Sequence, residues 1–258
     1  EFRRVLFRSV VCAVGCGVLY HFQGKNGIDC FPSGKVNLIY GEEILFFIFF
    51  LMWTYFAGFR PQAYGTEKFM DYGFMEAMMR STTLPARDLW YSEGTINYYY
   101  GGQYFAVFLT KLTGSKVELT YNLMRTFVAA FAFVLPFSLV RQMSVDRLKG
   151  SLTGKKRCLP AVAGIIAGIS VSIAGNMHYV VYSKVIPWLQ KLQGKEADNY
   201  WFPDATRYIG YNPDVPDKTI HEFPCYSFVL GDLHAHVVNV MFVLFLVGKI
   251  GRASCRER

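Results

Sequence analysis

The stretch LIYGEEILFFIFFLMWTYFAGF, residues 38–59, decides the fold class. After Glu42 and Glu43 it runs to Phe59 without another charge, close to the ~20 residues a helix needs to cross a hydrocarbon layer. The two glutamates stand at the start, where a helix end meets headgroups and water. Residues 119–141, 159–178 and 224–248 repeat the pattern, and 10–22 reads as a partial span. The chain is 52% hydrophobic and only 18% charged, against about 25% charged in ordinary soluble domains. The expected fold is an all-α polytopic membrane protein, a multispan helical bundle with long external loops.

Loop charges give this bundle a direction. Residues 141–158 (RQMSVDRLKGSLTGKKRC) hold six Lys/Arg against one Asp, which marks a cytoplasmic loop. Loops 60–118 and 179–222 balance positive against negative and are expected on the extracytoplasmic side of a plasma membrane. Within the first, 99–113 is too short and polar for a span and reads as an interfacial helix. In 159–178, Gly164 and Gly168 form a GxxxG pair, a packing device for closely approaching helices.

The arginine-rich ends 1–9 and 249–258 interrupt apolar runs abruptly and read as adaptor-derived tails, leaving 10–248 as the membrane domain of an N-terminal fragment. They carry more than half of the formal +8 charge, so the pI near 9.1 does not point to a nucleic-acid partner. Six cysteines without a CxxC pair are expected to be isolated reduced thiols. No P-loop, HExxH, GxGxxG or GxSxG occurs.

Two external regions carry the residue types of chemistry. The first runs from Glu67, Lys68 and Asp71 through Asp88 and Trp90 to Asn97-Tyr98-Tyr99-Tyr100-Gly101-Gly102. Consecutive helical residues point about 100° apart, so three tyrosines cannot share one buried face. At a headgroup boundary one ring can face lipid, another protein and a third water. The second region is His221-Glu222 followed by Gly231-Asp232-Leu233-His234-Ala235-His236, which holds three of the five histidines. Carboxylates and neutral imidazoles are divalent-cation ligands, and ionisable residues at membrane depth are functional candidates. On a continuous helix Asp232 and His236 share a face while His234 points away. A three-ligand site therefore requires the helix to start or unwind here, which Gly231 permits. The plainer alternative makes Asp232 an N-cap. Arg125, near the outer end of its span, suits either snorkelling to headgroups or a lipid phosphate.

The runs EKFMD at 67–71, NYYYGG at 97–102 and EFPCYSFVLGDLHAH at 222–236 resemble the YYY-motif family of highly hydrophobic integral membrane proteins, domain of unknown function 2298. Ala86 and Leu89 stand where that pattern carries prolines, while Pro85, Asp88 and Trp90 match it. More distantly, the order of first span, acidic external loop, interfacial helix ending in Lys-Leu-Thr-Gly, and a span opening near an arginine is similar to the glycosyltransferase C superfamily. That likeness implies a multispan enzyme taking sugars from polyprenyl-phosphate donors with an acid of the first external loop.

The leading expectation is a glycosyltransferase at the outer membrane face, using lipid and a polyprenyl-phosphate sugar as partners. Asp71 is then the base, with Asp88 the second candidate acid. Asp232, His234 and His236 hold a divalent cation (Mg or Mn) or the donor phosphate. Lys68 and Arg125 assist the phosphate, while Trp90, Asn97, Tyr98, Tyr99, Tyr100 and Glu222 line the substrate site. The alternatives are a transporter or channel with an Asp/His path, and a non-catalytic envelope assembly protein.

Overall fold

A computed structural model describes residues 36–256, apart from 66, 149, 150, 152, 208 and 212. The expected partial span 10–22 and the tail 1–9 lie outside the described residues. The elements are α1 (Val36–Gly58), α2 (Lys68–Arg80), α3 (Gly101–Thr113), α4 (Val117–Arg147), α5 (Leu159–Ser172), α6 (His178–Val180), α7 (Ile186–Leu192), α8 (Pro224–Leu230) and α9 (Ala235–Arg256). Among the described residues β structure is confined to isolated bridges, Arg87 with Thr95 and Tyr211 with Asp214.

Two helices, Asn37–Gly58 and Val117–Arg147, are long and apolar enough to cross a membrane, and Ala235–Gly251 is apolar but shorter. α1 turns Ile44, Phe47, Ile48 and Leu51 outward. Such a row is costly in water and natural in hydrocarbon. α4 is the axis of the molecule. α1, α5 and α9 pack along it, and α2, α3 and α8 also touch it. The GxxxG pair works as expected. A Cβ on Gly164 would sit 2.7 Å from the Phe137 carbonyl, and one on Gly168 would sit 2.8 Å from the Phe133 ring. Only glycine lets α5 lie this close to α4.

Three expected elements differ in detail. The apolar run 159–178 is helical only to Ser172. Asn176 then bonds the Ala205 carbonyl at 2.6 Å and accepts from the His178 amide, which draws the chain out of the helix. The run 224–248 is two helices: Gly231 adopts φ +79° and caps α8, and α9 restarts at Ala235. It continues to Arg256, through the residues set aside as a tail. The segment expected as loop beyond residue 60 contains α2, a full helix. Its inner face (Phe74, Met75, Met78) meets Val107 of α3, Tyr121, Met124 and Val128 of α4, and Leu233, Val237 and Val238 of the last segment in one core.

Candidate functional site

The core gathers α2, α3, α4 and α9 around the turn 231–234, and the backbone of that turn is held by side chains. Asp71, fully buried on the first turn of α2, accepts the Leu233 amide at 3.3 Å through Oδ2 and Gln103 Nε2 at 2.7 Å through Oδ1. The same Gln103 nitrogen donates to the Leu233 carbonyl at 3.1 Å. From the other side, the Gly231 carbonyl accepts from the Tyr121 hydroxyl at 3.3 Å and from Arg125 Nη1 at 3.4 Å. Arg125 Nη2 reaches the carbonyls of Ala57 and Arg60, both at 3.2 Å. Gly231 is required twice over, for its positive φ and because a Cβ there would lie 1.7 Å from Arg125 Nη1.

This turn aims the last segment's imidazoles into a cleft of 740 Å³ lined by Glu67, Tyr98, Tyr99, Ile220, His221, Glu222, His234, Ala235 and His236. His234 Nε2 lies 2.8 Å from Glu67 Oε2 and 3.9 Å from Asp71 Oδ2. The Glu67 approach is close but off the N–H axis, so this nearly buried nitrogen makes no aligned hydrogen bond. His236 Nε2 lies 3.0 Å from Glu222 Oε2, which also accepts from Ser227 Oγ at 3.2 Å. The ligand atoms of Glu222, His234 and His236 all fall within 4.8 Å of one another. Burial pushes the Asp71 carboxyl up to about 6, against the opposing pull of His234, Gln103 and the Leu233 amide. The Glu222 carboxyl is held below its ordinary range, first by its bond to His236.

On the far side of the turn is an apolar groove of 670 Å³. Met52, Trp53, Phe56, Phe228, Val229 and Leu230 form its walls, and Arg60 and Arg125 contribute its cationic end. Lys68 is buried close to this end. Its ammonium is lowered chiefly by desolvation, with Asp232 opposing and Arg125 and Arg60 adding to the fall.

A family model described as an uncharacterized membrane protein, DUF2298, matches residues 2–253. The chain belongs to this family. The expectation from the tyrosine and GDLHAH runs therefore holds, and the DUF2298 match extends into both ends that composition alone set aside. No curated protein and no solved structure gives a match.

In this DUF2298 chain the candidate ligand group has other members than the sequence expectation named. Glu222 stands with His234 and His236 in the group of ligand geometry, whereas Asp232 is buried and its charge bears on Lys68 and Arg125 as well as on His236. Asp71 is present but has no exposed surface. The acid that opens on the cleft from the same helix start is Glu67, whose side chain is 57% exposed. Asp88 lies elsewhere. Its Oδ1 accepts the amides of Trp90 at 2.7 Å and Tyr91 at 3.1 Å, the signature of an Asx turn. Trp90 packs edge-on against Phe69 and Phe74 of α2, outside the cleft lining, and Asn97 is exposed and outside that lining too.

The tyrosine triplet divides its work. Tyr98 and Tyr99 line the cleft, with Tyr98 leaning on Phe74, while Tyr100 caps α3 and packs on the core. Glu67 opens the EKFMD run but carries no role in the sequence expectation, and Gln103 lies outside every motif run. The signal for Gln103 is a long amide on a buried helix face that it shares with Ala106, Val107 and Thr110.

Proposed function

We propose that this protein is a membrane glycosyltransferase that takes its sugar from a polyprenyl-phosphate donor on the outer face of the plasma membrane. The observation that supports it most is the placement of two unlike cavities against one turn. The apolar groove with its arginine end suits an isoprenoid tail and phosphate. The cleft on the other side offers acids, imidazoles and the Tyr98 and Tyr99 rings, the furniture of a sugar site. The order of spans and loops that resembles the glycosyltransferase C superfamily agrees with this reading.

In this mechanism Glu67 takes the proton of the acceptor hydroxyl, whose oxygen attacks the anomeric carbon. The bond from that carbon to the phosphate oxygen breaks, and the lipid phosphate leaves as an anion beside Arg60 and Arg125. His234 Nε2 lies 2.8 Å from the Glu67 carboxylate at the cleft wall. Asp71 is a positioning residue: it touches the turn and His234 and has no surface for substrate. An ion path is favoured less, because the buried acids Asp71 and Asp232 line neither cavity.

The test is transfer of radiolabelled sugar from polyprenyl-phosphate donors by the protein in proteoliposomes. Glu67→Gln is expected to lower kcat by about 10²- to 10⁴-fold, the usual worth of a positioned base, with donor binding and melting unchanged. Wild-type turnover in that variant refutes the assignment of Glu67. No transfer from any polyprenyl-phosphate sugar by wild type refutes the reading itself.

A further inference from the structure

The cleft lining contains two acids and three histidines and no lysine or arginine, and a third acid, Asp71, lies just behind it. Such a surface draws cations. Its arrangement is more specific than a field. Pro224 begins α8 two residues after Glu222, and the Gly231 turn begins α9 between His234 and His236, so two helix starts bring one carboxylate and two imidazoles face to face. The two rings are 5.6 Å apart, centroid to centroid.

We propose that Glu222, His234 and His236 bind a divalent transition-metal ion, of the zinc or manganese class, at the head of the cleft. Metal–ligand bonds of about 2.0–2.2 Å in a tetrahedral arrangement place ligand atoms roughly 3.4 Å apart. The three atoms here lie within 4.8 Å of one another, and His236 and Glu222 are 3.0 Å apart. Small side-chain rotations therefore suffice. His234 Nε2 is nearly buried, makes no aligned hydrogen bond, and faces the cleft acids, as a ligand nitrogen would. Two imidazoles with one carboxylate favour a borderline metal over magnesium, which prefers an all-oxygen shell. Three protein ligands on one wall leave the cleft side open for water or substrate oxygen. Glu67 adjoins His234 at that open side.

The ion's role in catalysis rests on the transferase reading; its binding does not. Protein purified in detergent and stripped with a chelator is titrated with zinc, manganese and magnesium by calorimetry, and metal content is measured by mass spectrometry. One zinc or manganese per chain is expected, bound on the order of 100-fold more tightly than magnesium. Glu222→Gln and His236→Gln are each expected to weaken binding by at least about 10- to 100-fold, while His221→Ala, on the same cleft wall, leaves it unchanged. The stripped variants should melt with the stripped wild type, and only the wild type and His221→Ala should be stabilised by added metal. Absence of stoichiometric metal in the wild type, or equal loss in His221→Ala and His236→Gln, overturns the site. Metal binding without sugar transfer supports the site and refutes the transferase. Transfer by a chain that binds no metal does the reverse.

Discussion

Gly231→Ala tests whether the turn 231–234 is the element on which the site depends. The left-handed conformation costs a non-glycine residue about 1–2 kcal/mol. The new Cβ would also fall 1.7 Å from Arg125 Nη1 and 2.9 Å from its Cζ, so the guanidinium must withdraw. Withdrawal gives up the bond to the Gly231 carbonyl and strains those to Ala57 and Arg60. Each hydrogen bond to a charged group is worth about 1.5–3 kcal/mol. The expected loss is therefore about 3–5 kcal/mol, and roughly 10 °C in Tm on the scale of soluble domains. Thermal unfolding in detergent, followed by tryptophan fluorescence, measures the loss. Hydrogen exchange of the peptide 225–236 shows where it falls. Gly101→Ala is the control: nothing lies within 4 Å of its Cβ position at the start of α3, so it should be neutral or gain up to about 1 kcal/mol. In an Arg125→Ala background the clash is gone, and Gly231→Ala should then cost only the backbone term of about 1–2 kcal/mol. Equal costs in the two backgrounds, or unchanged exchange across 225–236, refute the reasoning.

Gly168→Leu should separate α5 from α4, because the obstruction includes the Phe133 carbonyl at 2.9 Å as well as its ring. The expected cost exceeds the roughly 1–3 kcal/mol of ordinary overpacking, read as loss of the monodisperse species in detergent, and a variant as well behaved as wild type counts against the α4–α5 packing. Tyr99→Ala and Tyr100→Ala should part company. Tyr99 is 77% exposed at the cleft, so its loss should raise substrate KM by about 2- to 10-fold, the worth of one aromatic contact, without lowering Tm. Tyr100 packs on the core, so its loss should lower stability by about 2 kcal/mol or more. Identical behaviour of the two refutes the division of the triplet.

The helices were legible because burial in lipid and packing on a neighbour both write themselves as apolar runs, and the α4–α5 contact because only Gly164 and Gly168 allow it. The candidate site shows in the sequence as composition. Three of its histidines and acids stood together at 221–236, and the acidic stretch from Glu67 stood apart. What the sequence could not convey was which of these acids reaches the cleft. Asp71 and Glu67 are one helical turn apart, and only the depth of α2 in the core buries the first and leaves the second open. Asp232 and Glu222 exchange places for the same kind of reason. A continuous helix through 224–248 would put Asp232 on the face of His236, but the break at Gly231 turns Asp232 inward. The chain bend before α8 then delivers Glu222 to the imidazoles. Asp88 serves an Asx turn, which uses the same residue type as an acid catalyst, so composition alone does not separate the two roles.

The break in the last apolar run also explains why so many polar side chains are buried around it. Backbone that leaves helical bonding near a membrane must find other partners, because lipid offers none. Here Asp71 and Gln103 satisfy Leu233 from one side, and Tyr121 and Arg125 satisfy Gly231 from the other. These four residues come from α2, α3 and α4, so the turn's backbone is satisfied only where those helices pack together. Burial thereby sorts the charged and polar residues into two groups. Asp71, Gln103 and Arg125 hold the turn, while Glu67, Glu222, His234 and His236 line the cleft. Substitutions in the first group should disturb stability and site geometry together, whereas those in the second should change chemistry in a protein that folds as before.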